Sequence, residues 1–109
     1  MSLYYFDTET EKNAAKDRLM KDIAHLTLVK NNPTIFTEPE QWEVSYVGTG
    51  LTTCKINDLL EELGYTRGDI DENGWEGEFW ITYTKKYCHP LVLYYEAWDF
   101  DIKLRVEED

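Results

Sequence analysis

The sequence predicts an α+β fold, an antiparallel sheet of four to five strands with two helices packed on one face, in the approximate order (β)αβαβββ. Two amphipathic helical patterns lie early in the chain, and runs of two-residue alternation crowd toward its C-terminal end. Helices grouped before strands favour an antiparallel sheet over repeated βαβ units. The 109 residues form a single domain, 1–109, long enough for one packed core and too short for two. A hydrophobic content of 42% with 15% aromatics excludes an intrinsically disordered chain.

Leu3-Tyr4-Tyr5-Phe6 is expected to form a short strand ahead of the first helix. Thr8-Glu9-Thr10-Glu11 then offers a capping box at Thr8 or Thr10 with acidic residues in the first turn, and a helix follows over Lys12 to Leu26. Ala15, Leu19, Ile23 and Leu26 draw its apolar stripe. It ends by Asn31-Asn32-Pro33, because a residue before proline disfavours helical geometry.

Pro33 to Pro39 reads as a loop. Trp42, Val44 and Tyr46 alternate with Glu43 and Ser45 as a half-buried strand, closed by Gly48-Thr49-Gly50. In the second helix Ile56, Leu59, Leu60 and Leu63 share one face, with Thr52 or Thr53 as cap and Gly64 as stop. Asp69 to Glu78 reads as an Asx-rich connection into three strands, Glu78 to Thr84, Leu91 to Tyr95 and Ala97 to Val106. Lys85-Lys86-Tyr87 joins the first two of these as a hairpin. In the last, Trp98, Phe100, Ile102, Leu104 and Val106 alternate with Asp99, Asp101, Lys103 and Arg105, which sets one face inward.

The chain carries 22 acidic and 11 basic residues, a formal charge of −11. That balance opposes direct binding to nucleic acid or to an anionic membrane. It suits a basic protein, a cation, or mimicry of nucleic-acid charge. No apolar stretch is long enough to span a bilayer, and Met-Ser-Leu-Tyr-Tyr-Phe lacks the basic start and cleavage site of a signal peptide, so a cytoplasmic home is expected. Cys54 and Cys88 are too few for a disulfide scaffold and are expected as small buried side chains.

One stretch resembles a metal loop. Asp69, Asp71 and Asn73 with Gly74 occupy the first, third, fifth and sixth positions of an EF-hand loop. Its terminal glutamate is replaced by Trp80, and flanking helices are missing from the pattern. A looser calcium loop closed by Glu76 or Glu78 competes with a plain turn at Asn73-Gly74, the stronger reading. Zinc bound by Cys54, Cys88, His89 and His25 fails on spacing, since only Cys88 and His89 are close and adjacent residues point apart. His25 suits a helix C-terminal dipole and His89 a turn. No nucleophile motif and no phosphate-cradling loop is present, so no catalytic, cofactor-binding or metal-binding residue is assigned and no cofactor is expected.

Sixteen aromatic residues exceed what a small core hides. Phe79 and Trp80 are strand neighbours and face opposite ways, as do Tyr94 and Tyr95, so the sheet face without helices is expected to display rings. The leading expectation is a small acidic intracellular, non-catalytic protein–protein interaction module, its partner another protein or a second copy. A DNA-mimicking inhibitor and a calcium or small-ligand binder using Asp69 to Glu78 are the alternatives.

Overall fold

The computed structural model describes residues 5–32, 43–75, 77–97 and 101–107. Among these the elements run α1 (Glu9–Asn31), β1 (Glu43–Ser45), α2 (Thr53–Glu62), β2 (Thr66–Asn73), β3 (Glu78–Thr84), β4 (Leu91–Glu96) and β5 (Asp101–Val106). All five strands join one antiparallel sheet in the order β1-β5-β4-β3-β2. The α+β architecture read from the sequence is therefore the one observed.

Each helix starts where its hydroxyl cap predicts. Thr8 Oγ1 accepts the Glu11 N–H at 3.0 Å, and Thr52 Oγ1 accepts the Lys55 N–H at 3.2 Å. These contacts satisfy backbone donors that a first turn leaves orphaned. α2 stops at Gly64, whose φ of +97° reverses the chain while its N–H reaches the Glu61 carbonyl and the Tyr65 N–H that of Leu60. α1 runs on past Leu26 to Asn31, with Val29 buried, so its final turn is packed rather than frayed.

The apolar stripes meet the sheet. Leu19 and Leu26 of α1 and Ile56, Leu59 and Leu60 of α2 are buried against Ile81, Tyr83, Leu91, Leu93 and Leu104. Each such aliphatic side chain contributes about 1.5–3 kcal/mol by leaving water. Two polar clamps fix the layers. Tyr46, after β1, donates its hydroxyl to Asp22 of α1 at 2.7 Å, and Tyr83 of β3 donates to Asn57 of α2 at 2.6 Å.

Two sequence expectations change. Tyr5 and Phe6 are not in a strand, and Leu3 and Tyr4 lie outside the described residues; Phe6 instead enters the core at 5% exposure. The expected connection through Asp69 is a strand: β2 pairs with β3 from Thr66↔Thr84 to Asn73↔Glu78. The C-terminal meander thus has four strands. Gly68 sits where the register shifts between Arg67 and Ile70, which is the role of a bulge. Trp42 and Trp98 to Phe100, assigned to strands from the sequence, fall outside the described residues.

Candidate functional site

Alternation divides the sheet into unlike faces. Val44, Leu104, Leu93 and Ile81 point to the helices, so their strand neighbours point away. No described helix or strand covers that second face. Its central row runs Ser45, Lys103, Tyr94, Trp80, Asp71 in directly opposed pairs; beside it lie Glu43, Arg105, Val92 and Thr82 on one flank, and Asp101, Glu96, Glu78 and Asn73 on the other.

The rings divide as the sequence predicts. Phe79 and Tyr95 meet on the helix side with centroids 5.0 Å apart, while Trp80 and Tyr94 stack on the uncovered side at 6.0 Å with planes 17° apart. The Arg105 guanidinium lies 5.3 Å from the Tyr94 centroid and donates through Nη2 to Glu43 Oε1 at 3.2 Å. Lys103 Nζ is 3.2 Å from Asp101, 3.3 Å from Glu43 and 4.0 Å from Glu96. Burial of that ammonium favours its neutral form, but its hydrogen bonds to Asp101 and Glu43 and their charge outweigh this, and its pKa moves up.

A shallow open groove of about 580 Å³ runs over this face, lined by Asp71, Trp80, Thr82, Val92, Tyr94 and Arg105 among others. Two half-buried rings offer stacking, the carboxylates offer ion pairs, and Arg105 and Lys103 hold the surface in one arrangement.

The sequence-derived metal candidates are spread out. Asp71 and Asn73 share the uncovered face with Glu78, Asp69 falls within the register shift, and Glu76 lies outside the described residues. An extended strand separates such groups where a calcium loop would curl them around an ion. Among the described residues, no group of three or more His, Cys, Asp or Glu side chains is placed to hold a metal. Cys54 and Cys88 are free and exposed, a correction to the burial expected of them. Cys54 stands two residues from Ile56, roughly 200° around α2 and so on its outer face. His25 is exposed on α1, and His89 meets Asn31 Oδ1 at 2.8 Å, tying the β3–β4 turn to the end of α1.

Sequence reasoning missed the Glu43, Lys103 and Arg105 cluster. Alternation put Lys103 and Arg105 on a water-facing side, but the partner strand lies about sixty residues away and only the register brings it near. Compared with protein-family models, curated proteins and solved structures, the chain finds no match. Among the described residues no helix is long and apolar enough to cross a membrane.

Proposed function

We propose that this protein is a non-catalytic protein–protein interaction module that holds another protein against the uncovered face of its sheet. One observation carries the reading: on that face Tyr94 stacks with Trp80 and lies 5.3 Å from the Arg105 guanidinium. Trp, Tyr and Arg are the residue types that dominate binding energy at protein interfaces, and they act from the middle of a patch. The ion pair with Glu43 holds Arg105 in place before any partner arrives, which lowers the entropy lost on binding. The free, exposed thiols of Cys54 and Cys88 suit a reducing compartment, which supports a cytoplasmic setting.

Charge selects the class of partner. The described part of the face carries Glu43, Asp71, Glu78, Glu96 and Asp101 against Lys103 and Arg105, on a chain whose formal charge is −11. Two copies meeting face to face would oppose surfaces of the same sign, so a different, basic protein fits better than a homodimer. Mimicry of a DNA duplex fits this face less well, because Lys103 and Arg105 interrupt its carboxylates.

The test compares the wild-type chain with a Trp80→Ala/Tyr94→Ala double variant in affinity capture from cytoplasmic extract. Circular dichroism first establishes that both are folded. Partners held by the wild type and lost by the variant support the reading; equal capture of the same proteins by both sinks it.

A further inference from the structure

β2 is an edge strand in the observed strand order, and Thr66 to Glu72 along it are all exposed. Edge strands leave alternate backbone N–H and C=O groups unpaired, a template on which an extended segment can add a strand. From Ile70 to Asn73 the register with β3 is regular, so the free side of the ladder is regular there as well. This part of the edge carries Asp69, Asp71 and Glu72, all exposed.

Those charges decide what can add. For a second copy pairing antiparallel about a two-fold axis through Ile70, Asp69 meets Asp71; about Asp71 or Glu72, that residue meets its own copy. Like charges directly opposed across a ladder are destabilising, so self-pairing is rejected at each of these registers. A strand bearing Lys or Arg at alternate positions can set a cation opposite Asp71, and the neighbouring Asp69 and Glu72 add to the attraction along the edge. Asp71 also directly opposes Trp80 of β3. A cation placed opposite Asp71 therefore lies at the margin of the stacked rings, whose faces attract positive charge.

Resting on the reading of the uncovered face as a protein-binding surface, we propose that the partner enters as a basic extended segment, adding a sixth strand to the sheet along Asp69 to Asn73 of β2. Main-chain hydrogen bonds to the edge supply affinity, and alternate cationic side chains over Asp71 and Trp80 supply specificity.

The experiment uses a short fluorescein-labelled peptide alternating lysine and threonine, titrated against the full chain and followed by anisotropy. A second peptide of the same sequence carries N-methyl groups on alternate residues, which keep the charge and block one edge of the ladder. Binding of the first that is at least about tenfold tighter than of the second, and weakened about fivefold by Glu72→Lys, supports the proposal. That variant leaves the uncovered face unaltered, because Glu72 opposes Phe79 on the helix side. Equal binding of the two peptides, both weakened by Trp80→Ala/Tyr94→Ala, overturns strand addition and leaves the face reading standing. If neither peptide binds, strand addition is overturned, and the capture experiment decides the face reading by itself.

Discussion

Trp80 of β3 and Tyr94 of β4 are directly opposed and stack with their ring planes 17° apart, on the side of the sheet that no described helix covers. Opposed aromatic pairs contribute about 0.5–1.5 kcal/mol beyond the area they bury. A double-mutant cycle of Trp80→Ala and Tyr94→Ala in urea denaturation is expected to show a coupling of about 1 kcal/mol. Strict additivity of the two losses would mean that the rings do not support each other.

Lys12 is buried at 1% exposure in the helix–helix layer, and its Nζ lies 2.7 Å from Glu62 Oε2 of α2. Removing one partner of such a pair strands the other charge, at a cost of about 3 kcal/mol, whereas replacing both by apolar side chains of similar size is near neutral. Lys12→Met should therefore destabilise strongly, and adding Glu62→Leu should restore most of the loss. Urea midpoints of the two variants measure this, and a double variant less stable than Lys12→Met would refute it.

The contrast between α2 and β2 shows what the sequence made legible. Ile56, Leu59 and Leu60 bury one helical face and so repeat at the helical period. β3 and β4 bury alternate residues, and that alternation gave their boundaries to within a residue. β2 is exposed along nearly its whole length, so nothing imposes a period, and its Arg-Gly-Asp-Ile-Asp-Glu run reads as a loop. The same logic holds for the site. The opposite pointing of Phe79 and Trp80 follows from strand geometry alone, whereas the contact of Arg105 with Glu43 depends on a pairing that no local pattern encodes.

Calcium is expected to leave the protein's melting temperature unmoved at millimolar concentration. Residues two apart on a strand are separated by roughly 6.6–6.8 Å, whereas calcium oxygens converge to about 2.3–2.6 Å from one ion. Asp69, Asp71 and Asn73 belong to such a strand. A ligand that binds only the folded state raises its stability, so a clear upward shift in a thermal scan would contradict this geometry.

Alkaline pH should weaken the fold. Burial, the largest influence, pushes the Tyr83 hydroxyl up to about 12, with Arg67 opposing and Glu61 and Cys54 adding to the rise. Burial and then the hydrogen bond to Asp22 raise Tyr46 further. In the unfolded chain a tyrosine loses its proton near pH 10, so above that value the unfolded state binds fewer protons and stability falls with pH. The Tyr83 contribution is complete below about pH 10 and is lost on rising to about pH 12, a change of roughly 2–3 kcal/mol at about 1.4 kcal/mol per unit. Tyr83→Phe should lower stability at neutral pH by about 1 kcal/mol through the lost bond to Asn57, yet flatten the decline between those limits. Urea midpoints across that range give both numbers; an unchanged slope would detach Tyr83 from the alkaline transition.

The bulge in β2 is sensitive at one atom. A Cβ added at Gly68 would lie 2.8 Å from the Thr82 carbonyl oxygen, a backbone atom of the neighbouring strand that cannot swing aside, while a Cβ at Gly74 in the hairpin reversal meets nothing within 4 Å. Gly68→Ala must therefore push β2 away from β3 and should cost about 1–3 kcal/mol, the usual penalty for overpacking a fitted contact. Gly74→Ala serves as the control and should stay within about 0.5 kcal/mol of the wild type, as surface substitutions generally do. Amide hydrogen exchange adds a local readout, because a displaced edge strand opens before the sheet does. Gly68→Ala should speed exchange at the β2–β3 ladder and leave the β4–β5 ladder protected. Equal stability of the two alanine variants would mean that Gly68 is not held against Thr82, and that the edge on which a sixth strand is proposed to form is looser than its register implies.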